Sequence, residues 1–258
     1  MDTSEYFDNN GRCIPNGINA QYNQKTRRYF VCEQPEIAYK NIHERLVKHL
    51  NIDNPISLKE FTDRAEGIIH DLSNDKQSKN ILNGVRIPFM LPKDSALDLG
   101  YHIEKKYICA VKESFEESYP NRNFVNHHKS GLSGKISIAI DSRHDQLVKE
   151  MSHNLIVGYY FPCITEYALP AAIEQIQKLP SKFLLAGGYD TAAALIGTPN
   201  LLLRTNGYPP LLWLAGLQSE SDGVGYHFEA YGYNLTFNRR VHFDKVAESW
   251  ATGIVVIG

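Results

Sequence analysis

Between Val224 and Phe237 the chain alternates its side chains with a period of two, and aromatic residues dominate the run. Only an extended strand sorts such a pattern onto two separate faces. On this spacing His227, Glu229, Tyr231 and Tyr233 share one face, and Tyr226, Phe228, Ala230 and Gly232 share the other. The second face is apolar and tapers to small residues, which suits a core. The first collects an imidazole, a carboxylate and two phenols. Ser221-Asp222-Gly223 is a turn sequence, and the apolar run 209–217 before it supplies a partner strand. The spacing therefore predicts an aromatic C-terminal hairpin.

The rest of the chain mixes strand and helix patterns without a βαβ rhythm. Residues 28–33, 85–91, 135–140, 155–161 and 254–257 read as strands, with Pro88 pushing its strand to a sheet edge because it lacks a donor. Residues 57–72 read as the clearest helix. Ser57 and Glu60 form a capping box, and Leu58, Phe61, Ala65, Ile68, Ile69 and Leu72 make an apolar stripe. Helical patterns also follow Pro35 and Pro170, start at Thr198-Pro199, and cover 95–117 and 241–250. In 95–117 the residues Leu99, Ile103, Tyr107, Val111 and Phe115 recur in steps of four, and Gly100 weakens the first turn. The expected class is α+β: a mixed or antiparallel sheet with helices packed on it.

Residues 1–27 carry few apolar anchors and read as a loop-rich arm lying over the surface. Residues 28–258 read as one α+β domain, with the polar stretch 73–80 as a candidate subdomain boundary. Residues 119–134 form a polar loop longer than most connections.

The 258 residues are 43% hydrophobic and 22% charged, enough to bury a sizeable core. A formal charge of -2 argues against a strongly basic nucleic-acid binder or a polybasic membrane-surface protein. No leader pattern opens the chain, and no apolar run reaches the length of a membrane span. Cys13, Cys32, Cys109 and Cys163 are scattered without C-x-x-C spacing, which suits reduced thiols in the cytoplasm. Phosphate-loop, nucleophile-elbow, zinc-helix and EF-hand motifs are absent, and no cofactor or metal is expected.

A few residues stand out for chemistry. Cys163 is read as following a strand and preceding a helix, where a helix end stabilises thiolate; a free Cys among apolar neighbours equally packs as a small hydrophobe. The Gly187-Gly188 turn, at a helix start, offers backbone N–H groups to an anion, or serves as a tight connection. His127, His128, His144 and Asp145 are further acid/base candidates.

Two functions compete. The first is an enzyme acting on a small polar or peptide-like substrate by acid/base or covalent group-transfer or hydrolytic chemistry. His227, Glu229 and Cys163 would be catalytic, with Tyr231, Tyr233, Gly187 and Gly188 binding the ligand. The second is a non-catalytic module that binds a protein partner through the arm and the 119–134 loop.

Overall fold

A computed structural model describes residues 5–204, 207–232, 234–242 and 244–258. The helices α1 (Tyr39–His49) and α2 (Leu58–Asn74) come first. Ser57 caps α2, its hydroxyl accepting the Glu60 amide over 3.1 Å, and Phe61, Ala65, Ile68 and Leu72 are buried along one side. The stretch 73–80 is not a simple loop, since α2 runs to Asn74 and a 3₁₀ turn occupies Lys79–Asn83. Strand β1 (Ile87–Leu91) follows and lies at the sheet edge, where Pro88 is tolerated.

The 95–117 helix divides into α3 (Leu99–His102), a π-helical stretch (Ile103–Ile108) and α4 (Cys109–Ser118). The four-residue spacing explains this. A step of four overshoots an α-helical turn of about 3.6 residues, and a wider π turn takes up the excess. Ile103, Tyr107, Val111 and Phe115 consequently all stay buried.

Next come β2 (Phe124–Asn126), β3 (Ile136–Ile138), α5 (His144–His153), β4 (Ile156–Thr165) and α6 (Leu169–Lys178). Cys163 thus lies inside β4, not beyond a strand end. Its neighbour Pro162 is accommodated where the pairing of β4 with the last strand shifts register, between Phe161 and Ile164. The remaining elements are β5 (Leu184–Leu185), α7 (Gly188–Gly197), β6 (Leu211–Trp213), β7 (Leu217–Ser219), β8 (Val224–Tyr231), β9 (Asn234–Val241) and β10 (Trp250–Ile257).

Among the described residues the class is α+β, as expected. An eight-stranded mixed sheet runs β1-β4-β10-β6-β8-β9-β2, with β5 pairing β10 off that path. The β10–β6 and β2–β9 pairs are parallel and the others antiparallel. A separate two-stranded sheet joins β3 to β7. Every residue of α7 is buried, and the helix packs against α1, α4 and β1. The run from Ala192 to Ile196 is apolar, which suits that placement, and the buried Asp190 is held by the Gly187 and Thr191 amides.

Several expectations need correction. The expected pairing of the 209–217 run with the aromatic strand is present, since β6 pairs β8 antiparallel with Leu212 opposite Phe228, but 224–237 is not one strand: it turns back on itself as the β8–β9 hairpin. Gly232, read as a small core residue, turns the chain with φ of +57°. The run 209–217 breaks into β6 and the start of β7. Residues 28–33 form no named strand and carry only the isolated Phe30–Tyr208 bridge. No helix starts at Thr198, which instead ends α7, and none of the described residues in 241–250 is helical.

Among the described residues, 5–27 carry no named helix or strand, but the segment is anchored in the core as well as lying on the surface. Phe7 and Cys13 have no solvent exposure. The Cys13 amide donates to the Cys163 carbonyl over 2.9 Å. The Arg12 guanidinium donates to the carbonyls of Asn23 and Thr165. Among the described residues no helix is long and apolar enough to cross a membrane.

Candidate functional site

The residues singled out from the sequence fall in different places. His227 and Glu229 sit on β8, with His227 Nε2 3.4 Å from Glu229 Oε1. His227 has no solvent exposure, and the Trp213 ring packs edge-on against it at 5.0 Å. Burial lowers its pKa against the pull of Glu229, which keeps the imidazole neutral. Tyr231 is 75% exposed, so it does not wall the same space. Tyr233 lies outside the described residues.

Cys163 is separated from β8 by two intervening strands, β10 and β6. It lines a different cavity of about 230 Å³ with Cys32, Arg12 and Arg28. Burial pushes the Cys163 thiol well above its ordinary pKa, and Cys32 up to about 12. Both thiols therefore keep their protons at neutral pH, the opposite of an activated nucleophile.

Gly187 and Gly188 introduce α7, and their role is close approach. A Cβ on Gly187 would lie 2.4 Å from His144 Nε2, and one on Gly188 would lie 2.6 Å from Ile103 Cδ1. Asp190 fixes this turn, its Oδ1 accepting the Gly187 and Thr191 amides over 2.8 Å each. The other oxygen, Oδ2, stands 3.8 Å from His144 Nδ1, with both side chains fully buried. Burial raises the Asp190 carboxyl above its ordinary pKa, against the opposing charge of His144.

The neighbouring Tyr189 carries the arrangement with most chemical capacity. Its hydroxyl lies 2.9 Å from His102 Nδ1. His102 Nε2 lies 3.0 Å from Asp94 Oδ2, and Lys106 Nζ donates to the same oxygen over 2.6 Å. An ionised carboxylate only accepts, so the His102 proton sits on Nε2 and Tyr189 donates to Nδ1. Burial would raise Asp94, but the hydrogen bond and charge of Lys106 hold it below the ordinary carboxyl value. Burial lowers His102, against the pull of Asp94, and raises Tyr189. The resting chain is therefore neutral phenol, neutral imidazole and carboxylate.

Three elements assemble it. Asp94 follows β1 and is pinned by its amide on the Met151 carbonyl, 2.9 Å away. His102 ends α3, and Lys106 lies four residues on in the π-helical stretch, so both reach one oxygen. Tyr189 comes from the first turn of α7. Tyr189 and Val148 also line a cavity of about 460 Å³ between residues 96–99 and β3.

The sequence reading missed this chain because Tyr189 is 87 residues from His102. The one local signal was the His102–Lys106 pair at helical spacing, close behind Asp94. Among the described residues, no group of three or more His, Cys, Asp or Glu side chains is arranged to hold a metal ion. No protein-family model, curated protein or solved structure matches this chain.

Proposed function

We propose that this protein is an enzyme acting on a small polar or peptide-like substrate by acid/base chemistry, with Tyr189, His102 and Asp94 as its proton relay. The observation that carries the reading is the Asp94–His102–Tyr189 hydrogen-bond chain beside the 460 Å³ cavity. Tyr189 has no solvent exposure, so the cavity wall must part before a substrate hydroxyl, amine or bound water can pass its proton to the Tyr189 oxygen. The phenolic proton passes in the same step to His102 Nδ1, and the resulting imidazolium is stabilised by Asp94. Tyr189 is neutral before and after, so its raised pKa is no obstacle. Reversal of the same steps delivers a proton to a leaving group.

This reading favours hydrolase or group-transfer chemistry without a covalent thiol intermediate, since the Cys163 thiol is protonated. It favours a cytoplasmic protein, since Cys13, Cys32, Cys109 and Cys163 are all free. Its ligand is a small or peptide-like molecule; the charge of -2 gives no reason to invoke nucleic acid. The competing binding module draws less support. Phe7 and Cys13 of the arm are buried, and 119–134 is not one open loop: β2 lies within it, paired with β9, and His128 and Leu132 are buried.

The test is turnover of a panel of small amides and esters by the purified chain. Tyr189→Phe and His102→Gln should each reduce the rate by about 10²–10⁴. Cys163→Ser should leave it within about threefold. No turnover of any panel member, or turnover that survives both relay substitutions, overturns the proposal.

A further inference from the structure

Strand β3 has a free edge, and its polarity is fixed by its bonds to the β7 side. The Glu220 amide donates to the Lys135 carbonyl over 2.9 Å, and the Ala139 amide to the Gly216 carbonyl over 3.0 Å. In an antiparallel pair, alternate residues direct their backbone groups to the partner. Lys135, Ser137 and Ala139 therefore face β7, and the N–H and C=O groups of Ile136 and Ile138 point away from it. Among the described residues nothing bonds to those outward groups.

Two cavities meet at Ile138: the one that Tyr189 lines, and a second of about 490 Å³ lined also by Asp141, Arg143, Asp145 and Gln177. Two apolar side chains stand unusually open here: Leu97 is fully exposed and Ile140 is 76% exposed. At the far end, Asp141 and Asp145 are exposed, and neither has an ion-pair partner among the described residues. Arg143 between them is engaged elsewhere, donating to the carbonyls of Pro180, Phe183 and Leu179.

We infer that the edge of β3 receives an extended peptide segment as an added strand, with apolar side chains against Leu97 and Ile140 and a lysine or arginine at Asp141 and Asp145. Main-chain hydrogen bonds to Ile136 and Ile138 hold the backbone, and the acidic end selects the charge. The inference deepens the acid/base reading by making that segment the substrate, its backbone led to Tyr189.

The experiment uses fluorescein-labelled, end-blocked peptides alternating valine and threonine, with arginine or glutamate at one end or the other, followed by fluorescence anisotropy. An arginine peptide binds saturably, and the glutamate versions bind at least about tenfold more weakly. Ile138→Pro removes one outward N–H without touching the β7 ladder, and weakens binding by at least about tenfold with the circular dichroism spectrum unchanged. N-methylation of alternate peptide amides has the same effect on the unmodified protein, whatever the proline variant does. Amide exchange at Ile136 and Ile138 slows in the complex. Absence of saturable binding, or binding indifferent to both changes, overturns the inference. The two proposals fail separately. Peptide that binds wild type and Tyr189→Phe alike, with no turnover of it or of any small amide or ester, leaves the docking edge standing, overturns the segment's role as substrate and sinks the relay as catalyst. Tyr189-dependent turnover of small amides without peptide binding does the reverse.

Discussion

Tyr189 donates its phenolic proton to His102 across 87 residues of sequence, over 2.9 Å. The bond stabilises the neutral imidazole, because only an unprotonated Nδ1 accepts it. Asp94, on the other ring nitrogen, stabilises the charged form. The two partners therefore pull the His102 pKa in opposite directions. Tyr189→Phe should raise it and Asp94→Asn should lower it, each by about one pH unit. NMR titration of the His102 ring reads both; shifts of the same sign would break the tautomer assignment.

Acid should destabilise the fold early. Burial holds His102, His227 and His242 below the ordinary 6.5. The unfolded chain then binds more protons than the folded one once the pH drops below 6.5. The stability these groups contribute is present above that pH and is lost as it falls toward their folded values. Urea midpoints should fall steadily from pH 7 to pH 5, and less steeply in His227→Gln; a flat profile would contradict the burial.

The N-terminal segment should be essential to stability. Phe7 has no exposure and meets the Phe183 ring edge-on at 5.5 Å. Phe7→Ala should cost about 3–5 kcal/mol. Deleting residues 2–20 should lower Tm by more than about 8 °C. Calorimetry checks both.

In α2 the cap and the core separate cleanly. Ser57→Ala should cost about 1 kcal/mol, through the lost bond to the Glu60 amide. Phe61→Ala, at a position without exposure, should cost about 3–5 kcal/mol. Equal small losses in urea denaturation would put α2 at the periphery.

Gly187→Ala tests the packing of the α7 turn. The added carbon would lie 2.4 Å from His144 Nε2, in a ring with no exposure and no room to withdraw. The expected loss is about 2–3 kcal/mol by urea denaturation. A neutral result would mean that the turn is free to move away from His144.

What the sequence disclosed was local. The Ser57 cap, the Phe61 stripe and the edge position of Pro88 each depend on neighbours within a few residues. The four-step spacing from Leu99 to Phe115 even contained the π turn, though it reads first as a plain helix. Errors arose where one residue type has two uses. Gly232 fits a tapering core face and also a turn, and only the pairing of β8 with β9 decides between them. Pro162 ends most strands but survives at an irregularity set by β10. The arm reads as loose because its buried residues Phe7, Cys13 and Ile18 follow no helical or strand period, and Phe7 meets Phe183 while the Cys13 amide bonds the Cys163 carbonyl, both distant in sequence. The relay was invisible for the same reason, since no spacing rule links Asp94 and His102 to Tyr189.

The place of β10 between β4 and β6 sets an order of events during synthesis. Both neighbours leave the ribosome before Trp250 does, and each must wait with one hydrogen-bonding edge open. The gap is widest for β4, whose ten residues, almost all buried, include an apolar run that attracts other chains while unpaired. Nascent chains paused in the stretch from 214 to 249 would thus be the aggregation-prone species, and the natural clients of a holding chaperone, while chains that have passed β10 would not.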